Sequence, residues 1–131
     1  MYHLKIEIDL EQFKGKSLNR DIRTHYKKRN KTNNEIYDLV YFKVRNSLPI
    51  RPLTNYTLKI CRYSSKALDY DGFVGALKPF VDGLTRAGVI MDDKWLYSGP
   101  WKVNQQYQHK KFGQKLLIEV IESKEVKIWK S

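Results

Sequence analysis

Residues 69–93 read DYDGFVGALKPFVDGLTRAGVIMDD, and this stretch contributes most to a prediction of the architecture. Apolar side chains recur at helical spacing between Phe73 and Leu84, and Gly88 supplies the residue type that commonly ends a helix. Residues 89–91 are apolar, so they predict a short extended segment that leads to a pair of aspartates. The stretch therefore predicts a helix between two extended segments, as in a strand-helix-strand unit.

The segments on either side of this stretch predict a sheet and a second helix. Apolar residues in alternating or continuous runs predict strands at residues 4–10, 56–63, 101–109 and 115–122. A helix is predicted from about Glu35, with Asn33-Asn34 as its cap, to a point before Pro49. We therefore predict a single α+β domain over residues 1–131, with a mostly antiparallel sheet of four or five strands and two principal helices.

The composition indicates a partner that carries negative charge. The chain has 131 residues, a formal net charge of +11 and an isoelectric point near 9.7. Such a field favours polyanions, so nucleic acid is the first partner to consider, although solubility alone could also explain a basic protein. No segment has the apolar run that a membrane helix or a signal peptide requires, so we expect a cytoplasmic protein with no membrane partner.

Charged residues are distributed unevenly along the chain. Residues 14–31 contain eight Lys or Arg residues and one acid, whereas residues 69–93 contain five aspartates and two basic residues, a net charge of −3. Mutual repulsion makes such a group of acids unfavourable unless a cation binds there. We expect the basic segment to bind DNA phosphates. Its candidate contact residues are Arg20, Arg23, His25, Lys27, Lys28, Arg29 and Lys31.

The aspartates are candidates for a metal site. In an extended segment Asp69 and Asp71 would point to the same side, and the strand-helix-strand layout could bring the paired aspartates after the helix to them. Carboxylates select Mg²⁺ or Mn²⁺ over zinc, and such an ion activates water for attack on a phosphodiester. Lys78 could reach the same site and offer a cation to the phosphate or help to activate the water. Each aspartate pair alone is also explained by a turn or a cap, and Asp82 by an i,i+4 pair with Lys78.

Three motifs in this order resemble the RusA family of Holliday junction resolvases. They are Asp69-Tyr70-Asp71, then Lys78 with Asp82-Gly83-Leu84 after it, then Asp92-Asp93 in the segment that follows Gly88. The resemblance implies an endonuclease that depends on Mg²⁺ or Mn²⁺ and acts as a homodimer on four-way DNA junctions. It implies catalytic roles for Asp69, Asp71, Lys78 and Asp93. It also implies that the metal ligands are Asp69, Asp71 and Asp93, with Asp92 as a less certain neighbour.

Other functions remain compatible with the same residues. The protein could be a basic nucleic-acid-binding module without catalysis, in which the aspartates are turn and cap residues. It could be a nuclease that acts on flaps or on RNA. A structural dimer whose charge only steers assembly is a further alternative.

Overall fold

The computed structural model contains four strands and three α-helices in the part of the chain that it describes, residues 1–13 and 26–124; for residues 26–30 and 95 it describes the backbone only. The strands are β1 (His3–Asp9), β2 (Tyr56–Ser64), β3 (Lys102–Tyr107) and β4 (Lys115–Glu122). The helices are α1 (Tyr26–Val44), α2 (Tyr70–Ala87) and the short α3 (Trp95–Ser98). None of the helices in those ranges combines the length and apolar character that crossing a bilayer requires.

The strands form one sheet in the order β1-β4-β2-β3. Strand β4 pairs antiparallel with β1 and β2, whereas β3 pairs parallel with β2. Ile6, Ile118 and Ile60 are register partners across three strands, and all three side chains are buried. They belong to one hydrophobic core that also includes apolar residues of α1 and α2. This arrangement confirms the predicted α+β domain with a mostly antiparallel sheet and two principal helices.

Helix α1 begins earlier than the sequence pattern predicts. It starts at Tyr26, so Asn33-Asn34 lie inside the helix, and their prediction as a cap is wrong. The turns before Glu35 consist almost entirely of polar residues, so apolar periodicity could not reveal them. From Ile36 onward the helix presents a buried apolar stripe to the core, as predicted.

Helix α2 makes the crossover that two parallel strands require. It connects β2 with β3, and the chain that leaves α2 returns beside the segment that precedes β2. There Leu53 and Ile90 form an isolated parallel bridge; the Leu53 N–H donates to the Val89 carbonyl, and the Met91 N–H donates to the Leu53 carbonyl, both at 2.9 Å. The predicted helix and the extended segment after it are confirmed, whereas the residues predicted as the extended segment before it form the N-cap and first turn of α2. The bridge also fixes the position of the backbone just before Asp92 and Asp93.

Gly83 sets how closely α1 and α2 approach. An added Cβ at this position would lie 3.1 Å from Cβ and Cγ2 of Val40, which is fully buried. Gly83→Leu is therefore expected to lower the free energy of unfolding by about 1–3 kcal/mol, because added volume at a close contact forces the helices apart. Urea denaturation, monitored by tryptophan fluorescence, measures this change. Val40→Ala should recover part of the loss in the double variant, whereas two losses that simply add would contradict the contact.

Candidate active site

The first two aspartates of the candidate site lie at the N-terminus of α2. Asp69 is the N-cap residue, and its Oδ1 accepts a hydrogen bond of 3.1 Å from the Gly72 N–H. Asp71 is exposed in the first turn, where a carboxylate interacts favourably with the helix macrodipole. The prediction that Asp69 and Asp71 point to the same side of an extended segment is wrong, because the helix begins at Tyr70. Within a helix, two residues rotate the side-chain direction by about 200°.

Gly72 leaves room for the cap. A Cβ at this position would clash with Oδ1 of Asp69, so any other residue forces that carboxylate to move. Gly72→Ala is therefore not expected to stabilise the protein. The free energy of unfolding should stay the same or fall, because the loss of a cap costs about 1 kcal/mol and offsets what alanine gains over glycine in a helix. In an Asp69→Ala background the same substitution should instead stabilise by about 0.5–1 kcal/mol, the usual gain when alanine replaces a helical glycine. Thermal denaturation of the four proteins measures both changes, and equal effects in the two backgrounds would contradict the cap.

One face of α2 carries both of the candidate catalytic residues that lie within this helix, Asp71 and Lys78. Asp71, Gly75, Lys78 and Asp82 follow each other at steps of four, three and four residues, so they point within about 60° of one another. The Lys78 Nζ lies 3.6 Å from Oδ1 of Asp82, which confirms the predicted i,i+4 pair. The same ammonium group donates a hydrogen bond to Oδ2 of Asp93. Lys78 thus joins the middle of α2 to the segment that follows it.

The segment with Asp92 and Asp93 is held against the start of β2. The Tyr56 hydroxyl donates a 2.5 Å hydrogen bond to the backbone carbonyl of Asp92. Burial raises the pKa of Tyr56 to about 12, so this hydroxyl keeps its proton at neutral pH. The Asp93 N–H donates to Oδ1 of Asp92 at 2.7 Å, and the Lys94 Nζ lies 3.8 Å from Asp92 Oδ2. These contacts fix the backbone from which the Asp93 carboxylate reaches Lys78.

The donor chemistry of the site fits a hard divalent cation. The candidate ligands Asp69, Asp71, Asp92 and Asp93 offer only carboxylate oxygens, which Mg²⁺ and Mn²⁺ prefer. Within residues 1–13 and 26–124, no three His, Cys, Asp or Glu side chains form a group that could hold a metal ion. Asp71 and Lys78 are seven residues apart, which is roughly 10 Å along the helix. Mg²⁺ is commonly held by one or two carboxylates together with water and substrate phosphates. The ligand set therefore stays a prediction.

Side chains of the sheet hold the loop that precedes Asp69. Gln105 of β3 pairs with the backbone of Leu68: its Nε2 donates to the Leu68 carbonyl and its Oε1 accepts from the Leu68 N–H, both at 2.9 Å. Arg62 of β2 donates through Nη1 to the same Oε1 at 3.1 Å and to the Lys66 carbonyl at 2.8 Å. Through Nη2 it donates to Gln114 Oε1 at 2.9 Å. Sequence motifs did not reveal this network, because it arises from the register that places Arg62 beside Gln105.

The basic segment of residues 14–31 lies partly outside the described residues. Arg20, Arg23 and His25 lie outside the described residues. Lys27, Lys28 and Arg29 belong to α1, but only their backbone is described, whereas the Lys31 side chain is exposed on that helix. The predicted contacts of this segment with DNA phosphates stay a prediction.

Sequence comparisons with known proteins give no match. No family model matches the chain, and no curated protein sequence matches it. The resemblance to the RusA family stays a prediction from the motifs.

Proposed function

We propose that this protein is a metal-dependent endonuclease that hydrolyses phosphodiester bonds in branched DNA, as in the resolution of Holliday junctions. The observation that carries the proposal is the contact of Lys78 with Asp93 and Asp82 on the same face of α2 that presents Asp71. An exposed ammonium group beside carboxylates offers a cation for a phosphate next to oxygen ligands for a divalent ion. The net charge of +11 supports a polyanionic substrate.

Different side chains have different roles in the proposed reaction. The residues that would hold Mg²⁺ or Mn²⁺ are Asp69, Asp71 and Asp93, and Asp92 precedes Asp93 in the chain. When bound, such an ion supplies a water nucleophile at neutral pH and neutralises charge on the phosphate. Lys78 donates to a non-bridging phosphate oxygen and stabilises the negative charge that develops during in-line displacement. Asp82 keeps the Lys78 side chain on this face of the helix.

The proposal includes a homodimer that acts in the cytoplasm. A four-way junction presents two equivalent strands, and a twofold pair of subunits supplies two equivalent active sites for paired nicks. The basic residues between positions 14 and 31 bind DNA phosphates. These contacts set the affinity for DNA and its salt dependence without selecting a base sequence.

A labelled synthetic four-way junction tests the proposal directly. The protein is incubated with the junction in the presence of Mg²⁺, Mn²⁺ or a chelator, and strand nicks are resolved on a denaturing gel. Paired nicks that require a divalent ion support the proposal. Binding without cleavage under any divalent ion would instead favour a nucleic-acid-binding module. Flap, linear duplex and RNA substrates in the same assay decide the substrate class, and equal cleavage of linear duplex would contradict specificity for branched DNA.

A further inference from the structure

The loop of residues 65–68 lies between a strand end and a functional residue. Strand β2 ends at Ser64 and the N-cap of α2 is Asp69, so the loop determines how Asp69 enters the candidate site. Lys66, Ala67 and Leu68 are exposed, so burial of their side chains contributes little to fixing the loop. An exposed segment with few apolar contacts opens easily, unless hydrogen bonds to the rest of the fold hold it.

Gln105 supplies two of those hydrogen bonds in one fixed orientation. Its amide donates to the Leu68 carbonyl and accepts from the Leu68 N–H, which is the pairing that a neighbouring strand would provide. The same Oε1 accepts from Arg62, so it has two donors. A flipped amide would place its NH₂ group against both donors, which excludes the flip. Arg62 in turn is anchored by Gln114 and binds the Lys66 carbonyl.

We infer that Gln105 is a positioning residue of the proposed nuclease site, because it holds Leu68 and thereby the backbone from which Asp69 caps α2. Asp69 follows Leu68 directly, and its carbonyl and carboxylate accept hydrogen bonds from the Phe73 and Gly72 N–H groups. The side chain of Gln105 thus connects a strand at the edge of the sheet to the start of the helix that carries Asp71 and Lys78. The inference rests on the proposed function for its catalytic consequence, but the effect on the loop is measurable without it.

The chain offers a matched control for this test. Gln106 is the next residue of β3, is exposed, and points to the opposite face of the sheet. Gln105→Met keeps the length of the side chain and removes its polar groups. Gln105→Glu keeps the acceptor for the Leu68 N–H and for Arg62 but loses the donor. Gln106→Met makes the same chemical change as the first variant at a position that does not contact the loop.

Amide hydrogen exchange measures how readily the loop opens, and it needs no substrate. We expect the Leu68 amide to exchange about fivefold faster in Gln105→Met, with a smaller increase for the Gly72 amide, because the hydrogen bond that protects the Leu68 amide is lost. Gln105→Glu should lie between wild type and Gln105→Met, and Gln106→Met should match wild type. Amides in the interior of β4 should be unchanged in all variants. Unchanged Leu68 exchange in Gln105→Met would overturn the inference.

Junction cleavage then separates positioning from general support of the fold. We expect kcat to fall about 10- to 100-fold in Gln105→Met, as for loss of residues that orient a catalytic group, with the dissociation constant for the junction unchanged. Partial recovery in Gln105→Glu supports the assignment. An equal fall in Gln106→Met, or a change in KM alone, would overturn it. If the wild-type protein cleaves no nucleic acid, the nuclease proposal fails, and the exchange rates alone decide whether Gln105 positions Asp69.

Discussion

Asp71→Asn is expected to slow divalent-ion-dependent cleavage of a four-way junction by about 100-fold or more. The substitution preserves the shape of the side chain but replaces a negatively charged oxygen ligand with a neutral one, which binds a hard cation more weakly. Loss of a group that merely orients a metal ligand costs about 10- to 100-fold, so loss of a ligand should cost at least as much. Single-turnover cleavage rates at saturating protein measure the effect, because they separate the chemical step from product release.

The fold should tolerate Asp71→Asn. Asp71 is exposed in the first turn of α2, so the expected loss is limited to its interaction with the helix dipole, about 0.3–1 kcal/mol. Asp38→Asn is the matched control, because Asp38 is an exposed aspartate on α1 and its replacement changes the net charge by the same amount. Equal rate losses in the two variants would mean that net charge, and not a metal ligand, explains the effect.

The sheet could be predicted from the sequence because each strand has a local pattern. The predicted strand at residues 115–122 coincides with β4, and that at residues 56–63 with all but the last residue of β2. Burial alternates along β1 in step with its apolar residues, so the alternation in the sequence reflects which face joins the core. Strand order and the parallel pairing of β2 with β3 depend on contacts between distant segments, so no local pattern specifies them.

The candidate site could be predicted only in part. The pairing of Lys78 with Asp82 follows from helical spacing and is confirmed. The sequence pattern predicts an extended segment at Asp69 and Asp71, although an aspartate just before a helical apolar pattern also indicates an N-cap, and Asp69 is the N-cap of α2. The network of Gln105 could not be predicted, because polar residues of a strand show their partners only when the register is known.

Lys78→Met is expected to lower the junction cleavage rate by about 100- to 1,000-fold, the usual cost of removing one group that stabilises charge in a transition state. The side chain is 53% exposed, so its ion pairs with Asp82 and Asp93 contribute at most about 1 kcal/mol to stability after solvent screening. The thermal midpoint should therefore change little. A large rate loss with an intact fold assigns Lys78 to the reaction and separates it from a purely structural ion pair.

Two comparisons make the result for Lys78 decisive. Lys78→Arg retains the positive charge and can still donate to a phosphate, so it should keep more activity than Lys78→Met, although its planar guanidinium cannot reproduce the geometry of an ammonium group. Junction affinity is measured in parallel at several salt concentrations, since the loss of an ordinary phosphate contact would reduce the salt dependence of binding by about one counterion. If Lys78→Met weakens binding of the junction as strongly as it slows cleavage, Lys78 contributes to DNA binding and not to the chemical step. A rate loss at unchanged affinity means that Lys78 acts on the phosphate in the transition state, where its contact with Asp93 places it beside the predicted metal ligands.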